Sequence, residues 1–228
     1  MTVLCPCDAH EMTLAVEALL QYEGPAYMRL GRSAVETVTD SIPGYHFQLG
    51  KGVTLRDGKD VTIVAVGMMV QMALKAADIL SAEGISARVL DFHTIKPLDQ
   101  ELLLAAAKET GAIVTSEEHN IIGGLGAAVA EFLSENCPVP VIRHGVNDQF
   151  GRSGKADQVL AAYGLTPEVL ADNDAAGQYA ETGSWEPGGP GFAHLRQVYH
   201  TGENPFREGT TRRTRSVAGD ATGRAVWR

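Results

Sequence analysis

Apolar positions in the first thirty residues change their spacing twice, which predicts a strand, a helix and a second strand. Val3 and Leu4 lie in an extended run. Asp8, with Glu11 three residues on, marks a helix start, and Met12, Ala15, Val16 and Leu19 recur at the spacing of one helical face. Gly24 and Pro25 end that helix, and "AYMRL" supplies the second strand. Two parallel strands with one helix cannot cover both faces of a sheet, and parallel sheets are buried on both sides. The pattern therefore leads us to expect the rest of this sheet from another chain or from lost residues, with an exposed edge that favours self-association.

Residues 33–50, with Pro43, Gly44 and Gly50, read as a linker. Beyond it, "GVTLRDGKDVTIVAVG" predicts a short strand, a turn at Asp57-Gly58, and a strand over residues 61–66 that is apolar nearly throughout. Met69, Met72, Ala73, Ala76 and Leu80 mark a helix that Gly84 stops, and "ISARVLDF" is the next strand. Asp99 caps a helix carrying Leu102, Leu103 and Ala106. "AIVTS" is a strand, Leu125, Ala128, Val129, Phe132 and Leu133 mark a helix, and "VPVIRHG" is the last strand. Thr166 before Pro167 opens a final helix. This alternation predicts an α/β fold: a three-layer α/β/α sandwich with a mainly parallel sheet over residues 51–175, preceded in residues 1–32 by a strand-helix-strand remnant of a second α/β domain.

Composition is that of a globular chain, 44% hydrophobic and 21% charged over 228 residues, enough for one full core and something smaller. A formal charge of −9 argues against nucleic acid or an anionic membrane surface as partner. No apolar run reaches membrane-spanning length and no signal-peptide pattern opens the chain, so a cytoplasmic setting is expected. Cys5, Cys7 and Cys137 lack paired metal or redox spacing and read as reduced, structural thiols. Charge is uneven along the chain. Residues 176–228 carry 7 Arg, no Lys and 5 acidic residues, which is +2 of the total and leaves −11 for residues 1–175. That tail, with "WEPGGPGF" and "TTRRTR", lacks helix or strand period and is expected to be irregular or disordered.

The run "IVTSEEHNIIGGLG", residues 113–126, gathers the most conspicuous polar groups. It places Glu117, Glu118 and His119 just past a strand's carboxyl end, with glycines opening the next helix, and open α/β sheets bind ligands there. The glycine spacing departs from the dinucleotide fingerprint, and carboxylates at a helix start suit the helix dipole or an interface partner better than an anion. His93, in "DFHTIKPLD", sits at a strand end, where a loop-ordering hydrogen bond is expected. His10 in "HEM" stands in a capping turn without metal spacing, so no metal site is expected.

Several ordered blocks carry a resemblance. "FQLGKGVTLRDGKDVTIVAVGMMVQMALKAADILSAEGISARVLDFHTIKPLDQ", "GAIVTSEEHNIIGGLGAAVAEFL", "PVPVIRHGVNDQFGRSG" and "YGLTPE" resemble the C-terminal domain of transketolases over residues 45–171, and most of all the split form whose C-terminal section is a separate chain. "CPCDAHE" and "GPAYMRLGR", within residues 5–32, resemble the last strand, helix and strand of that family's pyrimidine-binding domain. The resemblance implies ketol transfer between sugar phosphates with thiamine diphosphate and magnesium, both held only in an assembled enzyme. Its ring-activating carboxylate and its G-D-G to Asn metal motif do not occur in this sequence, so no catalytic residue is expected here and the chain alone is expected to be inactive.

Arg32, closing "YMRLGR", matches the family arginine that binds the substrate phosphate, and Arg29 is a weaker candidate. The expected partners are an N-terminal transketolase section or another copy. Two alternatives stand beside this reading: a non-catalytic assembly or regulatory module from a truncated gene, and the equivalent part of deoxyxylulose-phosphate synthase or of a 2-oxoacid dehydrogenase beta subunit.

Overall fold

The computed structural model describes residues 1–172, so the expected irregular tail at 176–228 lies outside the described residues. In chain order the elements are β1 (Thr2–Leu4), α1 (Ala9–Leu20), β2 (Ala26–Met28), β3 (Val53–Arg56), β4 (Val61–Ala65), α2 (Met69–Ala82) and β5 (Ala87–Asp91). They continue with β6 (Thr94–Lys96), α3 (Gln100–Thr110), β7 (Ile113–Asn120), α4 (Leu125–Asn136), β8 (Val141–Val146), α5 (Ala156–Ala162) and α6 (Pro167–Asp172).

The larger sheet runs β3-β5-β4-β7-β8, parallel throughout except for β3, which is antiparallel to β5. The turn at Asp57-Gly58 therefore does not fold β3 back onto β4; the chain crosses the start of β5, and a Cβ at Gly58 would stand 2.2 Å from the Ala87 carbonyl carbon. β4 lies fully buried at the centre, and successive residues of a strand face opposite ways. Val61, Ile63 and Ala65 pack with α2 and α6, whereas Val64 and Val66 pack with α3 and α4. Helices on both faces make the three-layer α/β/α sandwich that the apolar run of β4 implied. α5 is an addition to the expected elements; none of its residues is buried, so it carries no apolar stripe to read.

The smaller sheet departs from expectation. β1 pairs in parallel with β2, but its other edge is taken by β6, antiparallel, so three strands form the sheet in the order β2-β1-β6. β6, Thr94–Lys96, holds a single apolar residue, Ile95, and so shows no alternation by which it could be read in advance. β2 is the open edge, with Tyr27 52% exposed.

Helix α1 also turns a different face inward. Asp8 caps it by accepting from the Glu11 N–H at 2.8 Å, as its position implies, but Val16 and Leu20 face outward and Glu11 and Ala15 are buried. Leu14, Ala18 and Leu19 complete the packing around Leu4 and Phe47. The reason lies in residues 33–50, which form no helix or strand yet supply the cover: Thr39 and Phe47 are buried, and Thr39 and Tyr45 hydrogen-bond Asp8 and Glu11. A polar cover puts a carboxylate, not a leucine, on the inner face.

Candidate functional site

β7 continues through Asn120, beyond the expected strand end, with a shift in its register against β8 between Ser116 and Asn120. Glu117 is buried there, and its two oxygens accept from the Leu125 and Gly126 N–H groups at 2.8 Å each. The cap residue of α4, Gly124, has no side chain to do this, so Glu117 satisfies donors that the first turn leaves open. Both its oxygens are occupied within the fold.

Glu118 faces elsewhere, whereas His119 stays beside Glu117. The Arg29 guanidinium donates to the Glu118 carbonyl and stands 3.5 Å from its carboxylate, tying the end of β2 to β7. His119 is half-exposed; its Nδ1 donates to the Asn120 carbonyl at 2.7 Å and lies 3.8 Å from Glu117 Oε2. Arg32 is exposed, four residues past β2, and forms no ion pair among the described residues. The structure thus brings Arg29 to Glu118, leaves Arg32 in the open, and puts His93 in a different, buried setting.

That setting is a polar junction where the two sheets meet, and sequence reasoning did not find it. His93 is buried, stacks on Phe47 with ring centroids 4.2 Å apart, and bonds Thr94 Oγ1 through Nδ1 at 2.9 Å. Burial pushes its pKa below the usual histidine value, and Nε2 has no partner among the described residues. Glu11 Oε2 accepts from the Cys7 N–H at 2.6 Å, and Oε1 accepts from the Tyr45 hydroxyl. Asp8 accepts from the Glu11, Val38 and Thr39 N–H groups and the Thr39 hydroxyl. Burial opposes its ionisation, but these donors outweigh it and hold its pKa below the ordinary aspartate value. Gln71 on α2 donates to the carbonyls of Cys7 and Glu36, pinning both to the larger sheet's helix.

Asp91, the last residue of β5, is fully buried, and among the described residues no nitrogen or hydroxyl donor reaches either of its oxygens. Burial, then the neighbouring Glu11 carboxylate, push its pKa well up; burial and the nearby Asp91 and Glu11 charges do the same to the Cys7 thiol. Burial also pushes Cys5 up to about 11, the direction that keeps a buried thiol protonated. The local signal was only Cys7 and Glu11 four residues apart; nothing in one sequence pairs them with residue 91.

Residues 50–170 match the family model "Transketolase, C-terminal domain". The chain belongs to the transketolase family. A 6-deoxy-6-sulfo-D-fructose transketolase subunit, SqwH, of Clostridium sp. (strain MSTE9) is 47% identical over 75% of this chain and 52% of its own length. A 1-deoxy-D-xylulose-5-phosphate synthase of Heliobacterium modesticaldum is 41% identical over 75% of this chain but 27% of its own. A solved split-gene transketolase, described as an inactive beta4 tetramer, is 50% identical with a TM-score of 0.73, covering 80% of this chain and 58% of that one. The chain thus spans about half the length of the transketolase subunits it matches. The transketolase match takes in β3 to α6, so Glu117, Glu118, His119 and His93 lie inside it, and Arg29 and Arg32 lie before it. No helix among the described residues is long and apolar enough to cross a membrane.

Proposed function

We propose that this chain is the C-terminal part of a thiamine-diphosphate-dependent transketolase and moves a ketol unit between sugar phosphates only after joining a cofactor-binding part. The observation that carries this reading is the likeness to transketolase subunits encoded apart from their partners, at 47% and 50% identity. In it, residues 1–32 end a pyrimidine-binding domain, residues 33–50 connect, and residues 51–175 form the C-terminal domain. An N-terminal section or another copy is the partner, an oligomer the working form, and the cytoplasm the setting. Pentose-phosphate-type sugars are the substrates.

Glu11, Glu117 and Glu118 do not fit the cofactor. Thiamine diphosphate needs a carboxylate free to meet its aminopyrimidine ring. Glu11 is shut in with both oxygens engaged, Glu117 is spent on α4, and Glu118 faces Arg29. In this reading the chain carries no catalytic group. Its own contribution is at the phosphate end of the substrate: Arg32, exposed beyond β2, presents a planar fork of donors suited to a phosphate. Arg29, held by Glu118, sets the strand end that carries it.

Calorimetry with thiamine diphosphate and magnesium tests the reading, on this chain alone and mixed with an N-terminal transketolase section. Binding in the mixture alone, with ketol transfer that falls on Arg32→Ala, is expected. Saturable binding by the single chain, or an inert mixture, overturns it. The synthase likeness at 41% identity supports a second reading, the same part in a 1-deoxy-D-xylulose-5-phosphate synthase; that product from the mixture would replace the first.

A further inference from the structure

We infer that Cys7, Glu11 and Asp91 form a site for one zinc-class divalent cation at the junction of the two sheets. One ligand atom from each lies within 4.8 Å of the others, and the three come from separate places: the turn before α1, the first turn of α1, and the end of β5. All three side chains are at most 1% exposed.

Two observations beyond their proximity point to a ligand. Among the described residues no nitrogen or hydroxyl group donates to either oxygen of the fully buried Asp91, and its carboxylate faces the other two groups. A buried carboxylate demands a proton, a donor or a cation; among the described residues no nitrogen or hydroxyl donor and no cationic side chain reaches this one, and the groups that face it are the Cys7 thiol and the Glu11 carboxyl. Among the described residues no Lys or Arg forms an ion pair with Asp91 or Glu11. Second, Glu11 is already oriented from behind: the Cys7 N–H and the Tyr45 hydroxyl each bond one of its oxygens, leaving a second lone pair on each. This is how ligands of structural metal sites are held by their outer partners.

The donor set selects the ion. A thiolate with two carboxylates suits zinc or cobalt, whereas magnesium and calcium take oxygen alone. Zinc lies about 2.3 Å from sulfur and about 2.0–2.2 Å from oxygen, so two ligands opposite each other across the ion stand up to about 4.5 Å apart. The observed cluster therefore closes on an ion with a small side-chain movement, the Cys7 thiol and the Asp91 carboxyl giving up their protons to solvent as they ligate. Such an ion would clamp α1 to β5, and so the smaller sheet to the larger one. This site is independent of the proposed transferase role.

The test is refolding of the full chain with cobalt, followed by removal of loose metal on a chelating resin. Expected are one cobalt per chain and a thiolate-to-cobalt charge-transfer band in the near ultraviolet. Cys7→Ser should abolish the band, Asp91→Asn should lower cobalt retention at least tenfold, and Cys5→Ala and Cys137→Ala should keep both. Zinc should raise the unfolding temperature of the parent chain but not of Asp91→Asn, a near-isosteric change. A parent chain that refolds in cobalt or zinc and holds no metal after the resin overturns the inference, leaving the junction satisfied by protons. A band that survives Cys7→Ser overturns it equally.

Discussion

A Cβ on Gly124 would stand 1.9 Å from Glu117 Oε2, so the glycine leaves the space in which the carboxylate sits against the start of α4. Gly124→Ala is expected to expel the carboxylate, and Glu117→Ala to strip the same helix start of its acceptors. Each should cost about 1.5–3 kcal/mol, the range for charge-assisted hydrogen bonds, in urea unfolding at neutral pH. A loss below about 0.5 kcal/mol for both would mean that the carboxylate does not hold the helix.

Asp8 joins the start of α1 to residues 38 and 39. Asp8→Ala removes the acceptor for three N–H groups at once and is expected to destabilise by about 2–4 kcal/mol. Asp8→Asn keeps one acceptor oxygen and should lose less. Equal midpoints for the two variants in chemical denaturation would contradict this.

His144 gives a pH dependence. It is buried, Nε2 donates to the Gly164 carbonyl at 2.9 Å, and Nδ1 therefore accepts from the Ser116 hydroxyl at 3.0 Å. Burial lowers its pKa from the ordinary 6.5, against the opposing pull of the Gly164 carbonyl. As pH falls below about 6.5 the unfolded chain takes up the proton first, so stability present above that pH declines toward acid. Unfolding midpoints measured from about pH 8 to about pH 5 should fall less steeply for His144→Gln than for the parent. Parallel curves would refute the assignment.

The two arginines separate by readout. Arg32→Ala should leave the unfolding midpoint within about 0.5 kcal/mol, because the side chain is exposed, while weakening sugar-phosphate use by the assembled enzyme about 10–100-fold. Arg29→Ala should cost stability through the lost Glu118 contacts as well as weakening sugar-phosphate use through the displaced strand end. An Arg32 variant of unchanged KM and kcat removes its phosphate role.

The open edge at β2 should make the isolated chain associate. Tyr27→Lys puts a charge on that edge and is expected to shift sedimentation toward smaller species. No change would place any self-contact elsewhere.

The larger sheet was legible because its strands and helices are long enough to show their period: β4 reads as five buried residues and α2 as a stripe of Met69, Ala73, Ala76 and Leu80. The caps at Asp8 and Asp99 were legible for a related reason, since a cap and the N–H it satisfies lie three residues apart. Strand order was not, and neither was the length of β7, where the shifted register carries Glu117 inward to a helix start eight and nine residues away.

By itself the sequence determined what local physics decides: the longer helices and strands, where helices such as α1 and α3 start, and that a mainly parallel sheet is covered on both faces. Only the tertiary structure decided that β6 completes the smaller sheet, that α1 buries Glu11 in place of Val16, and that Cys7, Glu11, Tyr45 and Asp91 share one junction. Periodicity reports the face an element needs covered; it does not say what will cover it. Here the cover came from an irregular segment and a three-residue strand, and their polar groups determined which side chains turned inward.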